Sequence, residues 1–383
     1  MKPRRLVYLS GTRADFGLMR HTLQALAAHP ALDVSVAVTG MHLDAAYGHT
    51  VDDIVASGLR IAGRMPTDVQ ARDRAGMARA VAQTMLGLTE LLAADPPDAL
   101  LLLGDRGEML AGAAAALHLG IPAVHVHGGE RSGTVDEPMR HAISKLATYH
   151  FAATAESRER LIAMGEEPAR VFEVGAPGLD DLPAAGAQPR DAALRALGLD
   201  PQTARPYVLV VFHPVVQEAE DAAAQTEALA QGLRQAGAGA DFDVIWLAPN
   251  ADAGSGAIAD ALQAQRWPGL RRITHLPRPQ YLAALRHAAA LLGNSSSGII
   301  EAAGFGTPVV NVGSRQHLRQ RNPGTADVSP RAEDIAGALR AALQAGRGAA
   351  HNVYGDGNAA ARIVQLLATL PLSPALLAKT NRY

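Results

Sequence analysis

The sequence predicts an α/β protein with two similar halves, each built on a parallel sheet. Three observations support this prediction. Short β-like runs alternate with long helical runs rich in alanine and leucine, which is typical of parallel sheets with crossover helices. The alternation stops in the Ala-, Pro- and Gly-rich stretch Asp180–Arg205 and then restarts. Polar motifs follow several strands, at the carboxyl ends where α/β proteins place their sites.

The expected elements follow one another in a regular order along the chain. In the first half, helices such as Leu18–Ala28 and Met77–Ala93 separate the strands Arg5–Ser10, Asp33–Val38, Ala99–Leu103, Ala123–Val126, His150–Ala153 and Arg170–Glu173. In the second half, the expected strands are Tyr207–Phe212, Asp243–Leu247, Leu270–Ile273, Ala289–Leu292 and Pro308–Val312. A helical run, Ala359–Thr369, and a Pro-rich tail end the sequence.

The length of 383 residues suits two domains of this kind. The first domain is expected over 1–180 and the second over 181–365. We expect the tail 366–383 to pack back on the first domain. Two similar halves imply a cleft between them.

Composition and charge exclude several classes of function. The chain has 35 basic and 37 acidic residues, a net charge of −2, which gives no support for a nucleic-acid or membrane-surface partner. Cysteine is absent, which excludes disulfides, thiolate zinc sites and a cysteine nucleophile, and is compatible with a cytoplasmic protein. The apolar run Leu6–Leu9 is too short for a signal sequence, and no segment approaches about 18 apolar residues.

The densest cluster of chemistry-bearing residues is HVHGGERSGTVDEPMRHAISK, residues 125–145. Charge this concentrated after a buried strand is costly unless it contacts a ligand. Pro138 fits the first position of a helix, with Asp136 as a plausible N-cap. The alternative is that the acids of the first turn only complement the helix dipole. That alternative leaves His125, His127 and Glu130 unexplained, so we favour a functional site.

Two further motifs follow strands of the first half. Gly11–Gly17 (GTRADFG) combines a tight turn with a helix N-terminus, a geometry suited to phosphate, and Arg13 adds a bidentate donor. The alternative is a plain turn capped by Thr12 or Asp15. In Gly104-Asp105-Arg106, Asp105 stands where a catalytic carboxylate would, or is the N-cap of the next helix.

Four motifs follow strands of the second half. The run Gly293–Glu301 (GNSSSGIIE) places three serines before an expected helix Ile299–Ala303, a nest of donors suited to a diphosphate. Glu301 could then accept from ribose hydroxyls. The other three motifs are His213-Pro214, Pro249–Asp252 (PNAD) and Gly313–Arg319. The alternatives to a functional role are a flexible turn for the serine run, a structural histidine for His213 and a solvated basic loop for Gly313–Arg319.

Together these motifs resemble the hydrolysing UDP-N-acetylglucosamine 2-epimerases of sialic- and legionaminic-acid biosynthesis. They occur in the family's order and span roughly residues 1–320. The resemblance implies a GT-B fold, in which two Rossmann-like domains face a central cleft that holds the UDP-sugar. It also implies no metal and no nicotinamide cofactor, and a homodimer or homotetramer. The first domain would carry the sugar-side acids, and the second would bind UDP.

The resemblance also assigns roles to residues of this sequence. In the loop LPRPQYL, Arg278 would hold the uracil, and Asn250 lies in the matching PNAD motif. Many relatives carry Glu where this chain has His127, and often Lys where it has Leu18. The positions that match nucleotide contacts are Arg13, His213, Ser295, Ser296, Glu301 and Arg315. The positions that match sugar-side catalytic residues are Asp105, Asp136 and Arg140.

The implied reaction has two steps. A base removes the proton at carbon 2 while UDP leaves carbon 1, and water then adds to the resulting 2-acetamidoglucal. Asp105, His127, Glu130 and Asp136 are the available acid–base groups, and the sequence leaves the base open among them. Both UDP-N-acetylglucosamine and UDP-N,N'-diacetylbacillosamine fit as substrate. The alternatives are a non-hydrolysing epimerase, a GT-B glycosyltransferase and a catalytically idle UDP-sugar sensor.

Overall fold

A computed structural model describes residues 2–70, 73–202 and 205–382. The chain divides into two compact units. The first unit contains the residues up to Glu130, Val135–Asp180 and the residues from Tyr354 onward. The second contains Asp181–Val353 together with the short segment Arg131–Thr134. Within the described residues, no helix is long and apolar enough to cross a membrane.

The first unit is built on a seven-stranded sheet of the order β3-β2-β1-β4-β5-β6-β7, with every described pairing parallel. The central strand β4 is completely buried, as expected for a parallel sheet covered by helices on both faces. The strands are β1 (Arg4–Ser10), β2 (Leu32–Thr39), β3 (Arg60–Met65), β4 (Ala99–Leu103), β5 (Ala123–Val126), β6 (Tyr149–Ala152) and β7 (Val171–Glu173). The helices are α1 (Arg13–Ala28), α2 (Val51–Ala56), α3 (Arg74–Ala94), α4 (Gly107–His118), α5 (Asp136–Leu146) and α6 (Ala155–Ala163).

The second unit repeats this plan with a six-stranded parallel sheet, β10-β9-β8-β11-β12-β13. Its strands are β8 (Tyr207–Val211), β9 (Asp243–Leu247), β10 (Leu270–Ile273), β11 (Ala290–Gly293), β12 (Val309–Val312) and β13 (Thr325–Val328). Its helices are α7 (Leu182–Gly186), α8 (Arg190–Ala196), α9 (Ala222–Gln235), α10 (Ser255–Ala264), α11 (Arg278–His287), α12 (Ser296–Ile300) and α13 (Ala332–Ala345).

The predicted fold class is confirmed, because both units are parallel sheets with the strand order of a Rossmann fold. In such a sheet the strand order reverses between two central strands, and ligands bind outside the carboxyl ends of those strands. The reversal lies between β1 and β4 in the first unit and between β8 and β11 in the second. We call these two places the switch points.

Two edge strands, β3 and β13, were not expected from the sequence. They read RIAGRM and TADV, and most of their residues are at least partly exposed. An edge strand needs no continuous apolar run, since solvent covers one of its sides. The apolar pattern that identified the central strands is therefore missing from both.

The last helix, α14 (Ala359–Thr369), belongs to the first unit. Its side chains Ile363 and Leu367 are fully buried in the core that α1 also lines. The carboxylate of Asp180 accepts hydrogen bonds from the first amides of α14, at 3.0 and 2.5 Å. Residues 354–365, expected in the second domain, therefore group with the first, because the apolar face of α14 is buried there.

The tail that follows α14 lies against α5 and α6 of the first unit. The ammonium of Lys379 donates to the carbonyls of Ser144 and Ala147 at the carboxyl end of α5, at 3.0 and 2.8 Å. It also pairs with the buried carboxylate of Glu166 at 2.6 Å. Burial would raise the pKa of Glu166, but His150 and two lysines outweigh it and lower that pKa. A cation at the carboxyl end of α5 complements the helix dipole.

Candidate active site

At the switch point of the first unit, the amino terminus of α1 is filled by its own side chains. Thr12 is the N-cap, and it forms a capping box with Asp15. The Asp15 carboxylate accepts from the amides of Gly11 and Thr12, at 3.1 and 2.7 Å. The expectation of a phosphate-ready turn is therefore wrong for these amides, and the capped-turn alternative is correct. Arg13 is the first residue of α1 and is partly exposed.

Beneath this turn lies a buried polar network. Ser10 donates to Asp15, and its hydroxyl lies 2.9 Å from Nε2 of His42. The other ring nitrogen of His42 lies 2.8 Å from the hydroxyl of Thr50. Burial raises the pKa of Asp15 and lowers that of His42. The network fixes the turn after β1, and the sequence analysis missed His42 because its partners are up to 32 residues away.

Asp105 follows β4 at the same switch point and pairs with Arg140 of α5. Arg140 is almost completely buried, whereas Asp105 keeps 21% of its side chain exposed. A second guanidinium nitrogen of Arg140 donates to the carbonyl of Glu130 at 3.0 Å. Asp105 is not the N-cap of the next helix, since Arg106 holds that position. Arg140 thus ties the loop after β4 to the loop after β5 and fixes the Asp105 carboxylate.

Helix α5 begins earlier than the sequence suggested. Asp136 is its first residue and Val135 its N-cap, with no capping hydrogen bond from a side chain. Asp136 is therefore not the cap, and Pro138 is the third helical residue rather than the first. The Asp136 carboxylate lies at the positive end of the helix dipole, one turn before Arg140. The first four amides of a helix have no acceptor within it, so a proline is tolerated at the third position as well as at the first. The sequence pattern was therefore compatible with a helix that begins at either residue.

His127 and Glu130 form a buried pair in the loop after β5. Nδ1 of His127 lies 2.5 Å from Oε1 of Glu130. The backbone of His127 has a φ of +63°, which is uncommon for a residue with a side chain. Its amide donates to the carbonyl of Phe151 in the neighbouring strand β6, at 3.0 Å. Both residues were predicted from the sequence as acid–base groups, and the structure brings them into direct contact.

His125, two residues earlier, has a different environment. Its Nε2 donates to the carbonyl of Gly104 at 2.7 Å, and its Nδ1 lies 3.0 Å from the hydroxyl of Ser144 in α5. Burial lowers the pKa of His125 to about 3, so the ring is neutral at physiological pH. His125 therefore holds the loop that carries Asp105 against α5.

Glu108 is an acid of this region that the sequence analysis missed. It lies in the first turn of α4, is mostly buried, and its carboxylate lies 3.3 Å from Nε of Arg106. A side chain at Gly11 would place its Cβ 3.1 Å from Cγ of Glu108, a tight contact, so glycine at this position accommodates the Glu108 side chain. Glu108 could have been found from the sequence, because it is an acid only three residues after Asp105.

The switch point of the second unit is organised by Asn294, which follows β11. Its side-chain amide accepts from the amide of His213 and donates to the carbonyl of His213, both at 2.8 Å. The carbonyl of Asn294 in turn accepts from the guanidinium of Arg315 and from the side chain of Gln316, both at 3.2 Å. Asn294 thus brings together two predicted nucleotide contacts that are 102 positions apart in the sequence.

His213 is oriented by the next loop. Its Nδ1 accepts from the backbone amide of Asn250 at 3.2 Å, which leaves the proton of the neutral ring on Nε2. The side chain of Asn250 donates to Asp252. The PNAD motif therefore positions His213 as a hydrogen-bond donor.

The serine run and Arg278 complete the second cluster. Ser295 is the N-cap of α12, its hydroxyl accepts from the amide of Ser297 at 3.3 Å, and Ser296 begins the helix. Helix α12 ends before Glu301, so the expected helix Ile299–Ala303 is wrong in its bounds. Glu301 is buried and pairs with Arg278. Burial disfavours the charge of Arg278, but two carboxylates, Glu301 and Asp181, outweigh burial and raise its pKa.

The described residues contain no group of three or more histidine and acidic side chains placed to hold a metal ion. What the geometry provides is one set of acids and histidines around Asp105 and His127, and one set of donors around Asn294. The first set suits proton transfer, and the second suits an anionic, hydrogen-bonding ligand.

Comparisons with known proteins agree with this chemistry. The model of the family described as UDP-N-acetylglucosamine 2-epimerase matches residues 24–368. A UDP-N,N'-diacetylbacillosamine 2-epimerase (hydrolyzing) from Legionella pneumophila is 47% identical over 381 residues, which cover 99% of this chain and 100% of that protein.

Two solved structures have a similar fold. A UDP-GlcNAc 2-epimerase from Neisseria meningitidis, bound to UDP-GlcNAc, has a TM-score of 0.78 at 17% identity, over 95% of this chain and 99% of that one. A calicheamicin glycosyltransferase has a TM-score of 0.50 at 15% identity, over 98% and 96%. The family match and the Legionella relative show that this chain is an enzyme of the UDP-N-acetylglucosamine 2-epimerase family, in its hydrolysing branch.

Proposed function

We propose that this enzyme converts UDP-N,N'-diacetylbacillosamine and water to UDP and free 2,4-diacetamido-2,4,6-trideoxymannose. The observation that carries the choice of substrate is the 47% identity to the Legionella hydrolysing epimerase over almost the whole of both chains. UDP-N-acetylglucosamine, which would give N-acetylmannosamine, is the second donor to be tested. Free sugars of either kind are starting material for nonulosonic acids such as legionaminic and sialic acid.

The two clusters divide the work in this proposal. The second unit binds UDP, with Ser295, Ser296 and Arg315 donating to the diphosphate. Nε2 of His213 and the Asn250 loop add further donors to the nucleotide. Arg278 and Glu301 hold the uridine, and Arg13 of the first unit adds a cation. This set stabilises the negative charge that develops as UDP departs.

The first unit carries the proton chemistry at carbon 2. Removal of this weakly acidic proton is coupled to departure of UDP from carbon 1, which gives a 2-acetamidoglucal. Water then adds at carbon 1, and a proton returns to carbon 2 on the opposite face. The acid–base set is Asp105, His127, Glu130 and Asp136, with Arg140 holding Asp105 in place. Two differently placed groups are needed because the proton leaves one face and returns to the other.

The test uses NMR of reactions in deuterated water with each donor in turn. The expected products are free UDP and the manno-configured sugar, with deuterium at carbon 2. A UDP-linked manno sugar without UDP release would identify a non-hydrolysing epimerase. Transfer of the sugar to an added acceptor would identify a glycosyltransferase. Binding without turnover of either donor would leave a sensor, and a product without deuterium would exclude proton removal at carbon 2.

Assembly and location are further parts of the proposal. The family resemblance leads us to propose a homodimer or homotetramer, which light scattering of the purified enzyme would test. The cytoplasmic location expected from the composition stays a prediction.

A further inference from the structure

The backbone at His127 adopts a conformation that a histidine rarely has. Its φ of +63° lies in the left-handed region, where a side chain crowds the backbone and glycine is favoured. Residues held in such conformations cluster at functional sites, because the surrounding structure must enforce them. Here the ring contact with Glu130 and the hydrogen bond from the His127 amide to the carbonyl of Phe151 enforce it.

The contact with Glu130 determines which ring nitrogen carries the proton. A carboxylate can only accept, so at 2.5 Å from Oε1 of Glu130 the Nδ1 of His127 must be the protonated nitrogen. The lone pair of the neutral ring is therefore on Nε2. This atom is buried and, among the described residues, has no hydrogen-bond partner. A buried polar atom without a partner requires an explanation, and a catalytic role is one that fits a basic ring nitrogen beside a carboxylate.

His125 provides the contrast within the same strand and loop. Both of its ring nitrogens are engaged, one by the carbonyl of Gly104 and one by the hydroxyl of Ser144. Its role is thus to hold two loops together. The two histidines are only two residues apart, but their chemistry differs. Of the two, only His127 has a ring nitrogen available to accept a proton.

We infer that Nε2 of His127 is the base that removes the proton at carbon 2, and that Glu130 is the positioning residue that aims it. This inference rests on the proposed function and deepens it. Glu130 acts as the positioning residue because its Oε1 accepts the proton of Nδ1 of His127 and thereby fixes the ring. The carboxylate of Asp105 is held by Arg140.

Proton removal from carbon 2 and departure of UDP from carbon 1 form one elimination step. The lone pair of Nε2 takes the proton, the electrons of the C2–H bond form the C1–C2 double bond, and UDP leaves with the electrons of the C1–O bond. The imidazolium that results is paired with the Glu130 carboxylate, which stabilises it in a buried site. Water then gives its oxygen to carbon 1, an acid on the opposite face protonates carbon 2 and regains its proton from that water, and His127 releases its proton to solvent.

The decisive variant is His127→Gly, because a φ of +63° suits glycine and the change is expected to preserve the fold. The kcat should fall by roughly 100-fold to 10,000-fold, the range for a lost general base. Added imidazole should restore part of the lost kcat, since it can occupy the vacated space beside Glu130. UDP affinity, measured by calorimetry, should stay within a few-fold of the parent value. An unchanged affinity would show that the variant is folded.

The matched control is His125→Gly, which removes the same ring from the same strand and loop. Its loss of activity should not respond to imidazole. Rescue of both variants, or of neither while His127→Gly still binds UDP normally, would overturn the inference. If the parent enzyme itself releases no UDP from either donor, the proposed function fails instead, and the two failures are therefore distinguishable.

A double-mutant cycle tests the role of Glu130. Glu130→Gln should lower kcat with little change in KM, because the amide removes the charge that stabilises the imidazolium. In the His127→Gly background, Glu130→Gln should cost almost nothing more, since Glu130 acts through His127. Losses that multiply in the double variant would show that Glu130 acts on the substrate directly and would overturn its assignment as a positioning residue.

Discussion

The two units share one topology and use it for different chemistry. In each unit the sheet reverses its strand order between two central strands, β1 and β4 in the first and β8 and β11 in the second. At the first switch point the amides of the helix turn are bound by the carboxylate of Asp15. At the second, a neutral asparagine, Asn294, and the N-cap Ser295 follow β11, the strand that corresponds to β4.

This difference shows what a Rossmann topology leaves undecided. The helix terminus attracts an anion in both units. In the first unit the protein supplies that anion itself through Asp15, and phosphate binding by those amides is excluded. In the second unit the proposed function assigns that charge to the ligand, the diphosphate of UDP.

The largest expected effect comes from removing the acids of the first unit. Asp105→Asn and Asp136→Asn should each lower kcat by roughly 100-fold or more, the range for lost acid–base groups. UDP affinity should change little in either variant, because the proposed nucleotide contacts lie mainly in the second unit. Steady-state kinetics and calorimetric titration measure the two quantities. The matched control is Asp191→Asn, an exposed acid of α8, and near-normal turnover in Asp105→Asn would remove its catalytic role.

The converse change removes a donor of the second unit. Arg315→Ala deletes a charge-assisted hydrogen bond of about 1.5–3 kcal/mol, so UDP affinity should fall by roughly 10-fold to 100-fold. Arg321→Ala is the control from the same loop, because its guanidinium is bound by Asp327 at 2.8 Å. Loss of UDP binding in Asp105→Asn together with full binding in Arg315→Ala would reverse the proposed division between the units.

The next largest expected effect is a difference between the two units in how strongly low pH reduces their free energy of unfolding. Burial lowers the pKa of His125 to about 3, whereas a histidine of the unfolded chain titrates near ~6.5. The unfolded chain therefore takes up the proton first as the pH falls. The stabilisation from the neutral ring is complete above about pH 6.5 and is lost towards about pH 3, by up to ~1.4 kcal/mol per pH unit.

Denaturant unfolding between pH 7 and pH 5 measures this slope. Both tryptophans, Trp246 and Trp267, lie in the second unit, so their fluorescence follows that unit while circular dichroism follows the whole chain. The circular dichroism transition should move more with pH than the fluorescence transition. His125→Gln, which cannot take up the proton, should reduce the slope, and an unchanged slope would contradict the assignment to His125.

The smallest expected effects compare the two helix caps. Thr12→Ala should lower the free energy of unfolding by about 1 kcal/mol through loss of the capping box, with UDP affinity unchanged. Ser295→Ala should lower UDP affinity by a few-fold, since its hydroxyl belongs to the proposed diphosphate contacts. Thr12→Ser is the control for the first cap, because it keeps the capping hydroxyl. A loss of UDP affinity in Thr12→Ala would show that the first cap also serves the nucleotide.

The sequence by itself determined the class of fold and the places of chemistry. The buried central strands, such as Ala99–Leu103 and Asp243–Leu247, are short apolar runs. Such a run can be recognised from neighbouring residues in the sequence alone. The motifs that follow them were therefore assigned correctly to loops at the carboxyl ends of strands. The sequence motifs also contained the residues of both clusters, apart from His42 and Glu108, although no role was predicted for Asn294.

Only the tertiary structure decided what each of those residues contacts. Asp105 meets Arg140 across 35 positions, and His213 meets Asn294 across 81, and no local pattern encodes such distances. No local pattern tells the environment of His125 from that of His127, yet one ring is held at both nitrogens and the other is not. Helix α14 was assigned to the wrong domain because its amphipathic pattern shows that it buries one face, but not against which core. Periodicity records burial, whereas partners are fixed by packing of the whole chain.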